Sequence, residues 1–259
     1  SCMLASSALS GIVTNITGGI FYSGYLLEYG ITITSIGILT FIPFIATGFS
    51  LLSPMILERI PKRKWVLAAS RATSYTIKIL GMILLPMIVH SENGRNIGFA
   101  IIVFTASAIN SLFSSGYSVW HINFLPESIR ADYFNVSNII VNFIVGSTTL
   151  ISAVIADTFT GSAHRLQIIT ALYIIGFIVS IIDVIVISLP KEGVYERTSN
   201  KKPRLYDTIR LAFSQKKFML TMWIMFGYTF ASNLSASVIN TYLLGRIGVS
   251  YSFVTAINA

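Results

Sequence analysis

Three ionisable side chains stand inside long apolar runs of this chain: Arg71, Lys78 and Asp183. A charge inside a bilayer is costly, so such groups pair with one another, face a polar cavity or meet a charged ligand. Lys78 lies about halfway along its run, seven residues after Arg71 and on the same helical face as Ser74 and Tyr75. It is expected to bind an anionic solute or tune coupling; the alternative partners are a backbone carbonyl or a lipid headgroup. Arg71 is close enough to the end of its run to snorkel. Asp183 sits at a similar depth and shares a face with Tyr173, Gly176 and Ser180, so an Arg71–Asp183 pair is compatible with the spacing, while helix adjacency stays open.

Hydroxyl and amide groups form a second pattern. Ser7, Gly11, Thr14, Gly18, Tyr22 and Tyr25 recur at intervals of three and four residues, which places them on one helical face beside Asn15. Ser107, Ser111, Ser114, Ser118 and His121, with Asn110 beside them, repeat the arrangement, as do Asn135, Asn138, Asn142, Gly146 and Thr149. Tyr228, Ser232, Asn233 and Asn240 form a fourth group. Small and polar residues glue membrane helices together by allowing close backbone approach, and that reading suits the Gly and Ser positions.

The elements that carry these residues follow from composition. The 259 residues are 54% hydrophobic and 11% charged, with a mean hydropathy of +0.74 and a net charge of +8. A soluble domain carries about a quarter charged residues, so this chain is expected in the membrane. Cys2 is the sole cysteine, which rules out an internal disulfide and any CxxC metal site. No G-x-x-x-x-G-K-[ST] loop, HExxH or Asp-rich cluster occurs, so nucleotide coupling, metal chemistry and membrane-embedded catalysis are not expected. His90, His121 and His164 fall near the ends of runs, where histidine is commonly interfacial.

A hydrocarbon core of about 30 Å needs roughly 20 apolar residues in a helix. Runs of that length predict seven spans at about 3–26, 33–57, 65–89, 97–124, 133–156, 166–189 and 218–243, with an eighth opening near Tyr251. The lack of a leader before the first run and the stop at Ala259 predict a chain truncated at both ends. Lys and Arg set the orientation. Arg59, Lys62, Arg63, Lys64, Arg130, Lys191, Arg197, Lys201, Lys202, Arg204, Arg210, Lys216 and Lys217 fall in one set of alternate loops, thirteen residues against Arg95, Arg165 and Arg246 in the other. That bias places the basic loops and the N-terminus in the cytoplasm.

Six spans, a basic connection (191–217) and then further spans resemble the plan of the major facilitator superfamily. Local motifs carry the resemblance too. The family's turn after its second helix, G-x-L-A-D-R-x-G-R-R, is loosely matched by "PMILERIPKRK", with Glu58 for the Asp, Arg59 for the Arg, and Lys62, Arg63 and Lys64 for the basic end; Pro54 and Pro61 replace both glycines. "WHINFLPESIRADYF" is similar to the turn after its fourth helix, through Pro126, Glu127, Arg130 and Tyr133.

The resemblance implies an all-α polytopic bundle: a six-helix N-terminal unit (1–190), a basic cytoplasmic linker (191–217) and the first helices of a C-terminal unit (218–259). It implies a cell-membrane, secondary-active transporter that moves a small solute by alternating access, without cofactor or nucleic acid, as a monomer. Spans one, four, five and seven would then line a central cavity. Asn15, Tyr22, Lys78, Asn110, Asn138, Asn142, Tyr228 and Asn233 are the substrate-binding candidates, and Glu58, Arg59, Lys62, Arg63, Glu127 and Arg130 the cytoplasmic gate. A receptor or sensor on the same scaffold is the alternative, since fold does not fix function.

Overall fold

The computed structural model describes residues 2–57, 60, 63–123, 125–158, 162–190 and 213–258, and among these the chain is helical with no strand. The helices are α1 (Cys2–Ile16), α2 (Gly19–Glu28), α3 (Ile33–Ala46), α4 (Ser53–Leu57), α5 (Arg63–Ile88), α6 (Glu92–Asn123), α7 (Glu127–Thr158), α8 (Ser162–Ser188), α9 (Lys216–Tyr242) and α10 (Tyr251–Asn258). Helices are the economical solution in lipid, because each satisfies its backbone groups within one segment.

Five helical stretches are long and apolar enough to cross a bilayer: Cys2–Glu28, Ile33–Leu52, Glu92–Ile122, Glu127–Thr158 and His164–Ser188. The chain is a multi-pass membrane protein. Two of the seven expected spans, α5 and α9, are long enough at 26 and 27 residues but fall outside this group. Arg63, Lys64, Arg71 and Lys78 lower the apolarity of α5, and Thr221, Asn233 and Asn240 that of α9. Large apolar side chains face outward along the bundle, among them Ile38, Ile101, Ile139, Phe143 and Ile178, an arrangement suited to acyl chains rather than water.

The first span is not one helix. α1 ends where Thr17 N–H reaches Val13 O at 3.1 Å, and α2 begins after Gly18, with Gly19 in the left-handed region at φ 49°. Glycine makes that conformation inexpensive. The second span is also interrupted. Pro43 lies inside α3, and Thr47–Leu52 tightens into a 3₁₀ turn before α4.

α5 packs along α6 and α8, α1 along α8 and α7, and α3 along α6. α9 packs on α2 and α3, and the short α10 packs chiefly on α7. The start of α1 meets the α6–α7 turn and the end of α8 at one end of the bundle, and the ends of α2 and α7 meet the starts of α8 and α10 at the other.

Candidate functional site

The densest polar cluster lies where α1, α5 and α8 meet, toward the N-terminal end. Arg71 Nε stands 3.3 Å from Asp183 Oδ2, with the aspartate side chain fully buried and the arginine 14% exposed. Ser6 Oγ donates to Asp183 Oδ1 at 2.6 Å, and the Tyr75 hydroxyl lies 3.2 Å from Oδ2 and 3.0 Å from Ser10 Oγ. The guanidinium donates onward to Ser6 Oγ at 3.1 Å and to Ser10 Oγ at 2.7 Å, and stacks 4.9 Å from the centre of the Tyr117 ring of α6. Tyr117 in turn donates to Leu67 O at 2.7 Å. The pair that depth alone made compatible is therefore formed, and hydroxyls saturate both charges as a desolvated pair requires.

This cluster is a fastener rather than a reaction centre. Both carboxylate oxygens and the guanidinium are committed to protein groups, and no nucleophile–base pair adjoins them among the described residues. Among those residues, too, no group of His, Cys, Asp and Glu has the arrangement of a metal site.

About two turns further along α1 and α5 lies the break in the first span. A Cβ built on Gly18 would approach Lys78 Nζ to 3.8 Å, so the ammonium faces the interruption. From α8, Tyr173 donates to Thr17 O at 3.3 Å. A Cβ on Gly176 would meet Thr17 Cγ2 at 2.8 Å, which shows how closely α8 approaches. Tyr25 donates to Met82 O at 2.9 Å and stacks on Tyr173. The Tyr22 hydroxyl is buried without a hydrogen-bond partner.

A cavity of about 470 Å³ opens at the N-terminal end, between the start of α1, the α6–α7 turn and the end of α8. Ser7, His121, Tyr133, Ser137 and Asn138 contribute its polar lining, with Cys2 at its edge. His121 Nε2 and Ser137 Oγ are buried there without hydrogen-bond partners. Comparison with family models, with curated proteins and with solved structures finds no match for the chain.

At the opposite end, polar contacts tie α9 and α10 to the first six spans. The Asp157 carboxylate, near the end of α7, accepts the N–H groups of Tyr251 at 2.8 Å and Ser252 at 2.7 Å, capping α10 from a different helix. Tyr251 stacks on Phe21 and fills the space left by Gly24, where any Cβ would collide with its ring. Arg165 and Glu28 pair at 3.4 Å, and Thr241 Oγ1 lies 3.4 Å from Ser23 Oγ. A second cavity of about 430 Å³, lined by Glu28, Asp157, Arg165 and Ser250, marks this seam.

The sequence candidates divide accordingly. Tyr22 and Lys78 lie on the seam at the helix break, and Asn138 lines the N-terminal cavity. Asn15, Asn110 and Asn142 are exposed, and Asn15 Nδ2 turns back to Gly11 O at 3.0 Å. Tyr228 is 72% exposed, on the outward side of α9. The side chain of Asn233 falls outside the described residues, as do Glu58, Arg59, Lys62 and linker residues 191–212. Arg63 donates to Leu57 O at 3.1 Å, Arg130 donates to Leu125 O at 3.1 Å, and Glu127 is exposed in the first turn of α7.

Ser6, Ser10, Tyr117, Asp157 and Tyr251 do more here than the sequence patterns suggested. Ser6, Ser10, Thr14 and Gly18 also repeat every four residues, one position away from the stripe of Ser7 and Gly11, so the periodic signal for this face was present. No short-range signal links Asp157 to Tyr251, which are 94 residues apart.

Proposed function

We propose that the protein is a secondary-active transporter of a small solute that works by alternating access, on the plan of the major facilitator superfamily. The observation that carries this reading is the placement of the polar contacts to α9 and α10. Those described lie at the end opposite the N-terminus, while a polar-lined cavity opens at the N-terminal end. Cavities of similar volume lie at both ends, about 470 Å³ and about 430 Å³, but the described polar contacts of α9 and α10 bridge the second, an asymmetry expected of a carrier on one side of its cycle.

The thirteen-to-three bias of basic residues supports a cytoplasmic N-terminal end, and on that reading the state is inward-facing, with the contacts around Asp157 acting as the outer closure. The hydrogen bonds and the stacked ring there are individually modest, as a closure that must release on each cycle requires. The buried Arg71–Asp183 cluster fastens α1, α5 and α8 together, with Tyr117 of α6 against the guanidinium. Support also comes from the family-like turns at Glu58–Lys64 and Pro126–Tyr133.

The test is counterflow. The full-length protein in proteoliposomes is expected to exchange labelled solute against an internal excess, saturably, for solutes that raise its melting temperature. A solute that stabilises the protein and is never exchanged would point to a receptor instead.

A further inference from the structure

We infer that the break in the first span is a binding site for the carboxylate of a small monoanionic solute, held between Lys78 and the first turn of α2. The inference rests on the transporter reading for its biological meaning, but its chemistry stands on the site itself.

Lys78 is the starting point. The described hydrogen bonds and ion pairs include none from Nζ, and the residue is half-buried near mid-span. The carboxylates Asp183, Glu28 and Asp157 are engaged elsewhere, with Arg71, with Arg165 and with the start of α10, while Glu92, Glu127 and Asp132 lie in the first two turns of their helices. An unpaired ammonium at this depth is expensive.

Its neighbour makes matters worse unless an anion is present. Nζ faces Gly18, the residue that caps α2. Gly18 contributes no side-chain hydrogen bond, so the first N–H groups of α2 have no acceptor from their cap, and the positive end of the helix dipole meets the lysine cation. These two like-signed features repel one another. A carboxylate between them satisfies both, accepting from the free N–H groups and pairing with the ammonium.

Tyr22 is the independent third element. It is 6% exposed, and its hydroxyl has no hydrogen-bond partner. It stands four residues beyond Gly18, in the opening turn of α2. An unused buried phenol is therefore held close in sequence to the residue that Nζ faces. One ammonium and roughly half a charge from the helix end lie midway between one and two negative charges, so the choice of a carboxylate rests on its two oxygens, one for the ammonium and one for the N–H groups, with inorganic phosphate as the competing probe.

The experiment uses the full-length protein in zwitterionic lipid nanodiscs, with acetate and benzoate as probes, acetamide and benzamide as their neutral counterparts, and inorganic phosphate. Thermal unfolding of wild type, Lys78→Met, Lys78→Arg and Tyr22→Phe is followed. Without probe, Lys78→Met is expected to melt above wild type, because an unpaired cation has been removed. The carboxylates should raise the wild-type melting temperature and the amides should not. Apparent affinity should fall at least tenfold in Lys78→Met and less in Lys78→Arg and Tyr22→Phe. Indifference of wild type to both carboxylates, an equal response of Lys78→Met, or a response to anionic phospholipid alone overturns the inference. If neutral solutes are exchanged in counterflow with Lys78→Met unimpaired, transport stands and the carboxylate site falls. Lysine-dependent carboxylate binding without exchange of any solute leaves the site standing and removes transport.

Discussion

Removing either partner of the Arg71–Asp183 pair is expected to destabilise the protein by about 3–5 kcal/mol, enough to prevent its purification as a folded species at moderate temperature. The magnitude follows from burial. Asp183 has no exposed side-chain surface, and Arg71 to Ala leaves a carboxylate with only Ser6 and Tyr75 as donors in a low-dielectric setting. The converse change, Asp183→Ala, strands a guanidinium that retains two serine acceptors and the Tyr117 ring. Replacing both charges at once, as Arg71→Met with Asp183→Leu, should recover most of the loss, because the desolvation penalty disappears with the attraction. Thermal unfolding of the four proteins in one detergent measures this. Single variants within about 1 kcal/mol of wild type, or a double variant equal to the sum of the singles, would show that the cluster does not fasten α1, α5 and α8.

Locking the end around Asp157 should stop transport. Ser23 and Thr241 bring their hydroxyls to 3.4 Å, so cysteines at both positions in a Cys2→Ser background need only a small adjustment to reach the sulfur–sulfur distance of about 2.05 Å. With the disulfide formed, α9 is tied to α2 and the outer closure cannot part. Flux is expected to fall to background under oxidation and to return on reduction, while each single-cysteine variant transports under both conditions. Full flux with the cross-link demonstrably in place would contradict the alternating cycle. A related steric change, Gly24→Val, should weaken the closure by displacing Tyr251, since no Cβ fits beneath that ring.

The spans were legible because hydrocarbon demands long apolar runs, and runs such as 166–189 have few other uses. The break at Gly18 was not, since a Gly-Gly pair in an apolar run also suits a continuous helix packed closely on its neighbour. What fixes the break is tertiary: Tyr173 and Gly176 of α8 press on Thr17, and α5 presents Lys78 rather than an apolar side chain. Asp183 and Arg71 advertised their depth, yet their adjacency depends on α5 packing beside α8, which no local periodicity encodes. The polar faces of α7 and α9 illustrate the other limit. Helical spacing groups Asn138 with Asn142, and Tyr228 with Ser232, but a face is the same in sequence whether it looks onto a cavity or away from the bundle. Asn138 lines a hollow, whereas Tyr228 is exposed.

Reciprocal accessibility tests the alternation of the two ends most directly. Cys2 edges the cavity at the N-terminal end, and Ser250→Cys in a Cys2→Ser background reports on the opposite one. Labelling of each single-cysteine protein with a membrane-impermeant maleimide is followed with and without saturating transported solute. The expected result is that solute lowers the reactivity of one site while raising that of the other. Reactivities that move together, or that ignore a solute shown to bind, would contradict the account.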